Sequence, residues 1–299
     1  MMMEEKQIMT NEQLEDAINS ARAKETFANV LIYGAGAAMI LMFCLKKIPL
    51  AIFFLALLLV GGYLWGKSAG VAKKLLSDQV VSGVLKEVLG DAVEYNPWGK
   101  INPGSMEFPF SYNNVDGSDH IKAVYNGLNM ELGDVELIDK TEETDEEGHT
   151  MTRQFTFFKG QWLTCDFGKE LAGQVYLSER TKKDRRSLKS NVTVDNEQFG
   201  KRFCVRADDP REAYRILTPH IMESILTLAD KSGGTVYLSF LRNGKMHLAV
   251  QTGRKLFELG NSNAKVEELR RKYLGELRWF TEVIDMLRAE DSLYKEENL

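Results

Sequence analysis

Two apolar runs, Ala28–Leu45 and Ile48–Trp65, stand back to back with only Lys46 and Lys47 between them, and neither contains an Asp, Glu, Lys or Arg. Each approaches the roughly 20 residues with which an α-helix crosses a ~30 Å hydrocarbon core. A helix satisfies its own backbone hydrogen bonds, so it can enter lipid where irregular chain cannot. The two-lysine tip leaves room only for a tight reversal, and the pair therefore reads as a transmembrane hairpin. The second run is the richer, with Ile48, Leu50, Ile52, Phe53, Phe54, Leu55, Leu57, Leu58, Leu59, Val60 and Leu64. At roughly −0.3 to −0.6 kcal/mol each, these side chains favour insertion by about 3–7 kcal/mol. The first run, diluted by Asn29, Tyr33 and a Gly/Ala cluster, is expected to insert with its neighbour's help. Gly34 and Ala38, with Gly36 between them, supply the expected face of close helix approach. Tyr63 and Trp65 fall where an interfacial aromatic anchor belongs.

The segment before the hairpin is acidic and helix-forming (Glu4, Glu5, Glu12, Glu15, Asp16) and does not read as a cleaved signal. Arg22, Lys24, Lys67, Lys73 and Lys74 flank the outer ends of the hairpin, against Lys46 and Lys47 at its tip. By the positive-inside rule this places a multi-pass protein in the inner (cytoplasmic) membrane with both termini cytoplasmic. The three cysteines, Cys44, Cys165 and Cys204, give neither a disulfide framework nor a CxxC metal spacing.

The expected organisation is a cytosolic N-terminal helix over 1–27, the hairpin over 28–66 and a helical membrane-exit linker over 67–95. An α+β domain follows over 96–258, with a C-terminal amphipathic helix over 259–299. The exit helix runs to Leu89, where Gly90 closes it. The domain is mainly antiparallel β, with strands at His120–Tyr125, Asn129–Lys140, Met151–Phe158, Gln161–Phe167, Gly173–Ser178 and Phe203–Arg206. Asn126-Gly127 and Lys159-Gly160 are turn sites. Asp208, Asp209, Pro210 and Glu212 open a helix expected to run to about Asp230, with a possible kink at Pro219. Val236–Arg242 and Lys245–Gln251 flank Asn243-Gly244, the signature of a two-residue hairpin turn. In the last helix Val266, Leu269, Tyr273, Leu277, Phe280, Ile284 and Leu287 form an apolar seam. That seam packs on the domain or on the exit helix, or else joins two copies as a homo-oligomer.

Chemistry is sparse. His120, His149, His220 and His247 fall in no metal or catalytic spacing. His247, out of phase with Met246 and Leu248, is expected on a solvent or edge face. Cys165 beside Asp166 needs a converging histidine to act as a nucleophile, and reads as a small buried residue, as does Cys204. Asp134, Glu136 and Asp139, near the acidic loop Glu142–Gly148, read as solvated carboxylates without calcium-loop spacing. No catalytic residue, metal ligand or cofactor is expected. With 38 Lys and Arg against 43 Asp and Glu, no overall basic field points to nucleic acid. The one concentrated charge is Arg180, Lys182, Lys183, Arg185, Arg186 and Lys189 within Arg180–Lys189. On a domain tethered to a bilayer these residues are candidates for binding anionic lipid headgroups or a partner, at about 1 kcal/mol per basic residue near the surface.

Several segments together resemble one family. After the hairpin come Tyr125-Asn126-Gly127, Phe155-Thr156-Phe157-Phe158-Lys159-Gly160 and Phe199-Gly200-Lys201-Arg202-Phe203-Cys204-Val205. Ala213-Tyr214-Arg215-Ile216-Leu217-Thr218-Pro219 and Val236–Val250 follow in order. Over roughly residues 70–258 the pattern is similar to the bacterial DUF3137 family of membrane proteins, whose function is unknown. The resemblance implies an α+β cytosolic domain on a two-helix anchor and a LemA-type membrane protein as a possible partner. It supplies no catalytic residues. The expected function is a membrane-anchored binding or scaffold module, with an enzyme whose site is assembled from dispersed residues as the alternative.

Overall fold

The computed structural model describes residues 10–68, 70–104, 112–144, 150–181, 189–258 and 265–288. The chain divides into two compact units: Met1–Val84 with Leu259–Lys272, and Leu85–Glu258 with Tyr273–Leu299.

The first unit is helical. Helix α1 (Asn11–Cys44) opens on a capping box: Thr10 Oγ1 accepts from the Gln13 amide, and the Gln13 side chain accepts from the Thr10 amide. Its reversal into α2 (Ile48–Ser68) uses Lys46 in the left-handed region at φ 58°, with the Lys47 amide reaching back to Met42 O at 2.9 Å. Of the expected glycine face only part meets α2: a Cβ on Gly36 would lie 3.7 Å from Leu58 Cδ1, but Gly34 points away. Gly34 has open space where a Cβ would stand, whereas a Cβ on Gly61 would lie 3.0 Å from Ile32 Cγ1 and 3.3 Å from its backbone nitrogen. Ala28, Ala35 and Ala51 are buried and Tyr33 is exposed. The seam thus runs along Ala28 and Ala35, two turns apart, because small side chains at that spacing share one helix face.

The exit from α2 is not one continuous helix as expected. Gly70 adopts φ +75° at the start of α3 (Val71–Leu76), a conformation open to glycine and strained for other residues. A π-helical turn follows at Ser77–Val81, with Ser82 Oγ donating to Ser77 O at 2.8 Å; α4 (Ser82–Leu89) then ends at Gly90, φ +87°, as expected. Glu15 on α1 caps the first turn of α8 (Val266–Arg288) by accepting from the Val266 amide at 2.8 Å, and Asn11 donates to Glu267 at 2.9 Å.

The second unit is an eight-stranded antiparallel sheet in the order β1-β2-β3-β4-β8-β7-β5-β6, the α+β class expected. The strands are β1 (Glu94–Asn96), β2 (Asn114–Tyr125), β3 (Leu128–Thr144), β4 (Thr150–Asp166), β5 (Val175–Glu179), β6 (Phe203–Ala207), β7 (Thr235–Phe240) and β8 (Lys245–Gln251). Asn126-Gly127 does turn β2 into β3, with φ of 48° and 82°. Lys159-Gly160 is not a turn: β4 runs straight through it. Gly160 is needed there for another reason, because a Cβ would stand 1.9 Å from Val250 O of β8. The Asn243-Gly244 hairpin forms with a three-residue loop rather than two. Leu241 pairs with Lys245, the Gly244 amide donates to Leu241 O at 3.1 Å, and Gly244 alone takes positive φ (79°).

Three helices interrupt the strands: α5 (Glu197–Arg202), α6 (Pro210–Ile216) and α7 (Pro219–Lys231). The expected helix from Asp208 to Asp230 is broken at Leu217-Thr218. The residue before a proline is pushed out of the helical region, and Thr218 (ψ 158°) instead caps α7 through the Ile221 amide. Arg202 straps these pieces together through Glu179 on β5 and Asp230 on α7, while Glu179 also accepts from the Val236 amide at 2.9 Å. All seven seam residues of α8 are buried within the chain. In this unit α8 is held by Tyr273, which donates to Phe257 O at 2.9 Å, and by Asp285, which accepts from Tyr125 and Asn126 at the β2–β3 turn.

Candidate functional site: an apolar hairpin face and a closed polar core

Side chains on the outer faces of α1 and α2 that belong in oil stand uncovered. On α1 these include Val30, Tyr33 (77% exposed), Ile40 and Phe43; on α2, Ile52, Leu55, Leu59 and Tyr63 (70%). Both helices are long and apolar enough to cross a membrane, and little of either apolar stretch is buried inside the protein. An exposed apolar patch of this extent marks a membrane or interaction surface, since the core helix of a soluble domain would be covered.

The sheet, by contrast, closes around its polar groups. A bulge in β2 between Ser118 and Ile121 puts Asp119 at φ 58° and turns its carboxylate inward. There Asp119 and Asp134, each 2% exposed, face one hydroxyl: Ser118 Oγ lies 2.8 Å from Asp119 Oδ2 and 3.1 Å from Asp134 Oδ2. The hydroxyl has one proton and cannot donate to both. A proton on Asp134 completes the chain, passing from Asp134 to Ser118 and from Ser118 to Asp119. Burial, and secondarily the Asp119 carboxylate, push Asp134 up to about 7, against the donors that oppose this shift. Those donors are the Leu256 amide (2.8 Å) and the Gln161 side-chain amide, both on Asp134 Oδ1. Tyr95 donates to Asp119 at 2.6 Å, and Gln161 donates to Arg254 O and accepts from Thr252. The cluster therefore latches the 252–257 segment onto the sheet. The expectation that Asp134 is a solvated carboxylate is overturned, because β3 is covered on both faces at that position. Glu136 does reach the surface and pairs with Lys159 at 3.0 Å.

His247 is likewise buried rather than at a solvent face. Every residue from Met246 to Val250 is buried, so strand parity carries no inside-outside information here. Trp162 Nε1 can only donate, so His247 Nδ1 accepts from it at 3.2 Å and the ring proton sits on Nε2, toward the Pro103 carbonyl. Burial holds this imidazole down to about 4. Thr164, His247 and Ser239 lie in one cross-strand row, and Thr164 Oγ1 and Ser239 Oγ lack hydrogen-bond partners among the described residues. The arrangement does not make Ser239 a nucleophile, since both ring nitrogens of its neighbour are already committed. Cys165 is buried with its thiol pushed up to about 12 by burial, and Cys204 is buried on β6. His120 contacts Glu131 at 2.7 Å, and His220 is exposed on α7. Among the described residues no three His, Cys, Asp or Glu side chains gather as metal ligands.

Of the basic segment, Arg180 and Lys189 are described. Arg180 donates to Ser190 Oγ at 3.1 Å, and its amide pairs with Arg202 O at the end of β5. Lys182, Lys183, Arg185 and Arg186 lie outside the described residues, as do His149 and most of the acidic loop.

Fold and site together define an α+β domain in the same chain as an apolar helical hairpin. Over residues 156–289 the chain matches the model of DUF3137, a protein family of unknown function and the one its motifs resemble. The Tyr125-Asn126-Gly127 motif lies outside that match. The crystal structure of the mycobacterial trehalose monomycolate transport factor A is similar at 12% sequence identity and a TM-score of 0.37, over 72% of this chain and 96% of that one. No curated protein matches the chain in sequence.

Proposed function

We propose that this chain is a membrane-anchored binding module. The hairpin holds it in the inner membrane with both termini cytoplasmic, and the α+β domain engages a partner protein or anionic lipid headgroups without chemistry of its own. The observation that carries this reading is the uncovered apolar girdle on α1 and α2, whose length matches a hydrocarbon core. The basic residues Arg180, Lys182, Lys183, Arg185, Arg186 and Lys189 supply the charge for a headgroup or an acidic partner surface. A LemA-type membrane protein is the first partner to seek. In-cell crosslinking followed by purification in mild detergent should recover a partner protein or anionic lipid, and charge reversal at Lys182, Lys183, Arg185 and Arg186 should reduce that recovery. Equal recovery by both forms would remove the basic segment from the function. Labelling of a cysteine placed at Leu299 by an impermeant reagent in intact cells would overturn the topology.

A further inference from the structure

At the open end of the hairpin, residues of α1, α2 and the start of α3 line a cleft of about 710 Å³ within the first unit. This lies within the usual range of about 300–1,000 Å³ for ligand sites. Its floor is apolar or small, formed by Ala17, Ala21, Phe27, Leu64 and Val71; Lys24 and Lys67 stand at its sides, with Ser20 and Ser68. Neither lysine has an acidic partner among the described residues, and Ser68 spends its hydroxyl on Leu64 O at 2.9 Å. The two cations stand at matching heights. At 1.5 Å per residue, Lys24 is roughly 33 Å from the Lys46 end of α1, and Lys67 roughly 30 Å from Lys47 along α2. Both therefore fall one hydrocarbon thickness from the tip, at the level of phospholipid phosphates. Phe27 and Leu64 are each one helical turn nearer the tip, on the acyl side; Ala17, Ser20 and Ala21 are on the aqueous side, where their small size leaves room.

We propose that this cleft is a binding site for one anionic phospholipid of the surrounding bilayer. Its phosphate sits between Lys24 and Lys67, an acyl chain leaves past Phe27 and Leu64, and the headgroup lies against Ala17, Ser20 and Ala21. The inference rests on the membrane reading of the hairpin and adds to it a site separate from the basic segment. Charge complementarity selects the occupant: two cations with no acidic partner among the described residues, over an apolar floor, suit an anionic amphiphile, and neither a zwitterionic lipid nor an apolar helix would use both.

The test uses the full chain in mild detergent, with phosphatidylglycerol or phosphatidylcholine added at equal concentration and bound lipid counted by native mass spectrometry. Phosphatidylglycerol should bind one per chain and raise the melting temperature, with phosphatidylcholine at least tenfold weaker. Lys24→Gln with Lys67→Gln should weaken phosphatidylglycerol at least tenfold, and Ser20→Trp should do so by filling the cleft. Lys73→Gln with Lys74→Gln removes the same charge away from the cleft and should leave binding unchanged. Equal binding of the two lipids, or wild-type binding by the Lys24/Lys67 variant, would overturn the site. Alkaline carbonate extraction separates the two failures: release of the wild-type chain from membranes would overturn the membrane reading, and this inference with it. Retention together with unselective lipid binding would overturn the cleft alone.

Discussion

Gly61 stands where α2 meets the backbone of α1, and any side chain there must displace Ile32. Gly61→Leu should therefore separate the helices and lower the melting temperature of the detergent-solubilised chain, while Gly34→Leu, aimed into open space, should change it little. Reversed effects would mean that the helices pack on the other face. Sequence spacing pointed to Gly34 because one helix displays small residues all round, and spacing alone cannot say which of them faces a neighbour. At Asp134 the experiment is a pH profile. Its carboxyl is held at about 7 against an ordinary 3.8, so the folded state binds this proton more tightly than the unfolded one. The stability it adds is complete below about 4 and is lost as pH rises through about 7. Asp134→Asn keeps the shape and removes that slope, which is worth on the order of 2–4 kcal/mol across the window. His247 works in the opposite sense: with its value held at about 4, its contribution is present above 6.5 and lost as pH falls toward 4. The two slopes oppose each other between pH 4 and 6.5, so the Asn variant should be the more acid-sensitive form in urea titrations across that range. An unchanged pH profile would refute the shared proton.

Among the elements, the β7–β8 hairpin was legible from sequence because its turn chemistry is local. What Asn243-Gly244 did not reveal was the loop length, which the pairing of Leu241 with Lys245 fixes. Gly244→Val should cost the domain about 2 kcal/mol or more, since a Cβ at φ 79° also stands 2.8 Å from Lys169 O. Chemical denaturation against Gly127→Val, strained at φ 82° but without a neighbour in reach, would separate the clash from the backbone strain. The α8 seam was equally legible, because a 3.6-residue period survives in any context that buries one face. The split between α6 and α7 and the continuity of β4 were less so. In both cases one residue, Pro219 or Gly160, has two structural uses that look alike in sequence. The Asp119–Asp134 contact was invisible, since it depends on a bulge and on chain arriving from Leu256, over 100 residues away.

At the scale of the whole molecule, protection should follow the sheet's layers. Strands β4, β7 and β8 are covered on both faces around Trp162, Leu238 and Leu248, whereas the outer halves of β3 and β4, beyond Ile138 and Thr156, pair only with each other. Hydrogen exchange should therefore be slowest at residues 161–165, 236–240 and 246–250, and faster by orders of magnitude at 139–143 and 151–155. Uniform exchange along β4 would contradict this arrangement. The strand order has a further consequence, which concerns time. Strand β4 pairs with β8, whose partner residues are some 79 to 89 positions further along the chain. At ~5–20 residues per second of synthesis, β4 waits about 4–18 s with one edge open after it leaves the ribosome. An open, apolar edge is the feature that draws foreign strands. During that interval, under the proposed reading, the chain is already threaded into a bilayer by its first 68 residues. Nascent chains are then spaced apart in a plane instead of meeting freely in solution, so the hairpin also keeps apart the copies of a sheet that cannot close until its last strand arrives.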